Sequence, residues 1–253
     1  MGRRFGFVAA VALCTALAGP PARGALTGAR HFVYRIAWNG LPAGSAMIDV
    51  TNQQFSGAAG YVVEATAATN TFVNLFWSFR GVARTALLAD GLVPLRFTYD
   101  REINRVPEST WLDFDRGAQR EWGSHFKGDQ RKVAEIDGTE VADPITAVLL
   151  AQAAGLEPGG ERRYQVFTGE AEYVIVLRGV AEEDISVPAG HFPALKIDPE
   201  VWRVKDADAA LDQRLRQATV WVSRDPAHAI LRIRSEVFIG AVTLDLVQLG
   251  TAS

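Results

Sequence analysis

Four histidines, His31, His125, His191 and His228, are the side chains best suited to metal ligation or to proton transfer near neutral pH. No two lie within five residues of each other, so the helical spacing that sets two imidazoles on one face is absent. Any zinc site would have to be assembled from distant strands, and the histidines read first as loop or surface residues. Paired carboxylates suit glycoside hydrolysis when they converge across a cleft. Asp113 and Asp115 share one strand face, and Glu182-Glu183-Asp184 run consecutively; both read as solvated faces or turns. Gly159-Gly160 lacks the lysine of a phosphate loop, and no GxSxG elbow occurs. The sole cysteine is Cys14. These residues define no catalytic constellation, no metal site and no cofactor.

The stretch from Thr71 to Phe79 carries the strongest binding signal. Phe72, Phe76, Trp77 and Phe79 crowd into eight residues and could line a pocket for an acyl chain or another apolar ligand. The same side chains would serve equally as core beneath a covering loop.

The elements that must position these groups are mostly strands. His31–Trp38 alternates, with Phe32, Tyr34, Ile36 and Trp38 expected on one face and Arg35 on the other. Asn39-Gly40 opens a turn, and similar alternation recurs at 45–51, 61–68, 92–99, 110–115, 164–168, 172–180, 184–187, 192–204, 218–223, 231–239 and 241–249. One segment differs. Asp143 stands at an N-cap, Pro144 at the first helical position and Gly155 just past the end, which predicts a helix over 143–154. A second helical turn is compatible with 70–77, as is the end of a strand. The fold class is mainly β: a large curved antiparallel sheet, barrel-like or made of two packed β halves, with one short central helix. Residues 25–253 read as one β-rich domain or as two halves joined near 143–160.

Residues 1–24 read as an export leader: Arg3 and Arg4, the uncharged run Phe5–Ala18, then small residues at Ala22 and Gly24 with cleavage before Ala25. At 14 residues the run falls short of the ~20 that a membrane-spanning helix needs. Leu13 before Cys14 argues against lipidation there. The expected location is the periplasm, with no membrane span in the mature chain. Of 26 basic and 29 acidic residues, the leader takes three arginines and no acid. The remainder is acidic and lacks a basic stripe, so a nucleic-acid partner is not expected.

Five segments in order then resemble domain-of-unknown-function family 3108, exported proteins of Gram-negative bacteria. They are Tyr34-Arg35-Ile36-Ala37-Trp38-Asn39-Gly40-Leu41-Pro42-Ala43-Gly44, Leu92–Phe97, Asp143-Pro144-Ile145-Thr146-Ala147, Val187-Pro188-Ala189-Gly190-His191-Phe192-Pro193-Ala194-Leu195-Lys196-Ile197 and Trp221-Val222-Ser223-Arg224-Asp225-Pro226. The resemblance implies a β-rich periplasmic fold and brings no catalytic residues. Asp143, Pro144, Pro188, Gly190, Asp225 and Pro226 act as folding punctuation: a helix start, a turn and a break in a ladder. The preferred reading is a non-catalytic binding or envelope-maintenance protein that shelters an apolar or lipid-like small molecule. An envelope glycan hydrolase and a scaffold for an envelope protein partner stand as alternatives.

Overall fold

The computed structural model describes residues 31–115, 120–127, 130–137, 141–204, 212–213, 218–225, 227–237 and 239–250. The leader expectation for 1–24, Pro226 and most of 205–217 lie outside the described residues.

Period-two alternation becomes a single path of strands. The first half is a meander: β1 (His31–Trp38), β2 (Leu41–Phe55), β3 (Ala58–Thr69), β4 (Phe79–Leu88), β5 (Val93–Ile103), β6 (Val106–Asp115), β7 (Arg120–Lys127) and β8 (Gln130–Asp137). The second half holds β9 (Val141–Ala142), β10 (Glu161–Phe167), β11 (Glu172–Val187), β12 (Gly190–Arg203), β13 (Asp212–Gln213), β14 (Ala218–Ser223), β15 (Ile230–Glu236) and β16 (Ala241–Gly250). In space the order runs β8-β7-β6-β5-β4-β3-β2-β1-β16-β15-β14-β12-β11-β10-β9, with β13 beside β12. The halves therefore join in mid-sheet, where β16 pairs antiparallel with β1. The described pairings are antiparallel except β9 with β10.

The outer edges β8 and β9 are neighbours in sequence, with only residues 138–140 between them. Four peptide units span at most about 15 Å, so the two edges must approach each other and the sheet must curl. They do not form a ladder. Instead the β10–β11 end packs inside the curl: a Cβ on Gly123 of β7 would sit 2.8 Å from the Phe167 ring. Phe167 and Leu112 are fully buried there. The fold is mainly β, one large curved open sheet with few helices.

Local chemistry sets the corners. Asn39 and Gly40 both adopt positive φ (49° and 80°), the two-residue turn whose twist suits a hairpin. The turn is tighter than the sequence suggested, since Leu41 already pairs with Trp38. A register shift falls between Ile36 and Ala37, where Ala43 of β2 is the extra residue. Phe32, Tyr34 and Ile36 face the core as expected, but Ala37 takes the next inward place and Trp38 is exposed. Pro188-Ala189 forms the β11–β12 hairpin loop, with Gly190 at φ 141° opposite Val187. Residues 172–187, expected as two strands, are one strand with a shift between Gly179 and Ala181.

Helix α1 (Thr71–Asn74) is a single turn capped by the Asn70 side chain. Helix α2 (Pro144–Ala153) is the central helix, with Ile145, Thr146, Ala147, Leu149 and Gln152 buried. It is apolar on nearly every side, as a helix enclosed by protein must be. Full burial of a side chain such as Leu149 contributes about 1.5–3 kcal/mol. No helix among the described residues is long and apolar enough to cross a membrane.

Candidate functional site

Asp143 anchors α2. Its Oδ1 accepts from the backbone N–H of Ile145 (2.8 Å) and Thr146 (3.0 Å), and its Oδ2 from the hydroxyls of Thr146 (2.5 Å) and Thr85 (2.9 Å). Pro144 sits in the first turn, where its missing N–H costs nothing. Asp143 is wholly buried, and burial pushes its carboxyl up while the hydrogen bonds from Thr146, Thr85 and Ile145 pull it down. The net shift is upward.

So held, α2 roofs an apolar cleft of about 100 Å³ against the inner faces of β10, β11, β12, β14 and β15. Val148, Leu156, Ile175, Leu195, Val222 and Ile233 are among the apolar residues of its wall. Arg162, Arg224 and His228 bring polar groups to the lining. Arg224 donates to the Leu156 carbonyl (3.2 Å) and to both oxygens of Glu157 (3.0 and 2.8 Å), tying the loop after α2 to the end of β14.

A second cluster lies where the β10–β11 turn meets β5, β6 and β7. Glu108, 4% exposed, takes Arg101 Nε on Oε2 at 2.7 Å and Lys127 on Oε1. His125 Nδ1 is 2.9 Å from Thr110 Oγ1, and its Nε2 lies 2.5 Å from Glu170 Oε1 without the alignment of a hydrogen bond. Arg101 also spans 3.8 Å to Glu170 and stacks over the Tyr99 ring. Gly169 brings Glu170 in: at φ 82°, a Cβ there would lie 2.4 Å from Thr110 Cγ2.

The ligand atoms of Glu108, His125 and Glu170 fall within 4.8 Å of one another, the geometry of a candidate metal centre. Its electrostatics argue otherwise. Two carboxylates already face two cations, and a divalent ion would sit beside Arg101 and Lys127. Burial works to raise the Glu108 carboxyl, but the Lys127 hydrogen bond and the Arg101 guanidinium hold it below the usual carboxylate range. A glycosidase general acid needs the opposite shift, so Glu108 is no proton donor near neutral pH. Burial lowers His125, aided by Arg101 and Lys127 and opposed by Glu170 and Glu108. The cluster is an ion-pair network that pins the hairpin end. Sequence reading missed it because its members lie on four segments. Ser124 and Lys127 have Ser-x-x-Lys spacing, yet three residues apart on a strand they point to opposite faces.

The four aromatics of the binding expectation do not meet in the cleft. Phe72 and Phe76 are 58% and 78% exposed and touch edge-to-face at 5.9 Å. Phe79 is buried in the core, and half-buried Trp77 stacks on it at 5.8 Å. The other expected residues separate as well. Asp113 pairs with Arg96 (2.8 Å), His31 with Asp49 (2.7 Å) and His191 with Ser186 (2.6 Å). Asp225 Oδ1 accepts from Ser223 Oγ (2.8 Å) and the Ala227 N–H (2.9 Å), a turn that delivers His228 to the cleft.

A curved, incompletely closed sheet around one buried helix defines a β-barrel-like protein. The chain belongs to the family described as "Protein of unknown function (DUF3108)", whose model matches residues 33–247. Among solved structures it is similar to the beta-barrel-like DUF1849 protein of Brucella abortus, with TM-score 0.59 and 9% identity over 90% of this chain and 100% of that one. A protein of Bacteroides fragilis with a YmcC-like fold, provisionally described as exported, gives 0.39 at 10% identity, covering 93% and 100%. A protein of Parabacteroides distasonis, provisionally described as a lipoprotein, gives 0.36 at 10% identity, covering 92% and 99%. No curated protein matches the sequence.

Proposed function

We propose that this protein is a non-catalytic periplasmic binding protein that shelters an apolar, lipid-like segment beneath α2. The observation that carries this reading is the apolar cleft, walled by five strands and a helix fixed by Asp143. A pocket of about 100 Å³ accommodates the end of a chain, whose remainder leaves through the opening. The leader-like residues 1–24 support export, and the resulting mature protein is one β-rich domain. Displacement of N-phenyl-1-naphthylamine by decanoate tests the reading, with Val148→Trp filling the cleft. Saturable displacement, lost in Val148→Trp, is expected; no binding, or binding indifferent to that substitution, rejects it.

An envelope scaffold is the second reading. It is favoured by the exposed apolar side chains Leu41, at the start of β2, and Phe72, Leu75, Phe76 and Ile239, on two connections between strands. Crosslinking in intact cells, compared with a Phe72→Ser/Phe76→Ser variant, tests it. A specific adduct that disappears in the variant would support the scaffold.

A further inference from the structure

Two polar atoms of the cleft residues find no hydrogen-bond partner among the described residues. Gln152, 7% exposed, donates from Nε2 to the His228 carbonyl at 2.8 Å. That bond fixes the amide orientation, because the flipped amide would set oxygen against oxygen. It leaves Oε1 buried as an unpaired acceptor. Tyr164, a second lining residue on β10, carries a buried and equally unpaired hydroxyl. Burial pushes this phenol up, so it stays protonated and can both donate and accept. Buried polar groups in folded proteins are nearly always satisfied, and an acceptor left open among the described residues in an apolar wall is a place for a donor that a ligand can bring.

We infer that the cleft selects an acyl-like chain bearing a hydrogen-bond donor, a hydroxyl or an amide N–H, within its apolar length. This rests on the proposed binding function and names its ligand class. Gln152 Oε1 accepts from the donor, and the Tyr164 hydroxyl makes the second contact. An unsubstituted chain fills the same volume but leaves both atoms open. The penalty for the unsubstituted chain falls on groups that have already lost water.

The test compares decanoate, 3-hydroxydecanoate and N-methyldecanamide as displacers of N-phenyl-1-naphthylamine from the purified protein. At least one donor-bearing chain is expected to bind about tenfold more tightly than decanoate. The arm that gains separates a hydroxyl source from an amide source. Gln152→Leu should abolish that preference while decanoate still binds. Tyr164→Phe, which leaves the Gln152–His228 bond in place, should reduce it. Equal affinity for all three chains in the unaltered protein overturns the inference and leaves the cleft as a plain apolar site. Failure of every chain to displace the probe rejects the binding function itself.

Discussion

Thr85 Oγ1 donates to Asp143 Oδ2 at 2.9 Å, joining the middle of β4 to the first turn of α2 across 58 residues of sequence. This bond fastens the start of the helix, as the Gln152–His228 bond does near its end. Asp143→Ala removes an N-cap and strands three donors, the Thr85 hydroxyl keeping the Arg96 carbonyl at 3.3 Å, and a loss of about 2–4 kcal/mol in unfolding free energy is expected. Asp143→Asn keeps the cap oxygen and should lose less than half as much. Urea denaturation of both variants measures the difference. Equal stability of Asp143→Ala and the parent would refute the role of this cap.

Acid should weaken the protein before the carboxylates titrate. The folded His125 pKa is depressed, so the unfolded chain binds this proton more readily. Its contribution is complete above about pH 6.5 and is lost as pH falls through that value toward the folded pKa. Lowered Glu108 acts later, losing its contribution below the unfolded carboxylate value, whereas raised Asp143 acts in the opposite sense. His125→Gln, which leaves Arg101, Glu108, Lys127 and Glu170 in place, should flatten the stability profile just below about pH 6.5. Thermal melts across a pH series, parent minus variant, report the change.

The hairpin end depends on one glycine. In Gly169→Ala the added methyl meets Thr110 Cγ2 at 2.4 Å at a backbone angle that L residues rarely adopt. The expected cost is about 1–3 kcal/mol. Amide exchange at 168–171 should quicken as Glu170 leaves His125. Unchanged exchange there would show that the end tolerates displacement.

The exposed aromatics offer a contrast. Phe76→Ser should change stability by no more than about 0.5 kcal/mol, because the ring is 78% exposed. It should also leave chain binding in the cleft untouched. A loss of binding on that substitution would return the ligand site to the 72–79 stretch.

Much of the scaffold was legible because local chemistry dictates it. Alternation announced the strands, Asn39-Gly40 the first hairpin, and Asp143-Pro144 the helix. Trp38 departs from the pattern because it closes β1 at the hairpin turn, where its indole Nε1 donates to the Ile239 carbonyl, and alternation alone does not mark where a strand ends. The cleft was illegible for another reason. Its wall runs from Pro144 to Ile233, and only the curl of the sheet brings those residues together. Gln152 looked like one more turn of an apolar helix until His228, 76 residues away, fixed its amide.

The overlap of β10 inside β6 and β7 also sets what the fold can do mechanically. A closed barrel fixes its girth through hydrogen bonds all the way round. Here no ladder joins β8 to β9 among the described residues, so the overlap is held by side-chain packing and ion pairs and not by a row of backbone hydrogen bonds. The ion pairs around Glu170 act as the clasp of that overlap, tying the β10–β11 turn to β5 and β7.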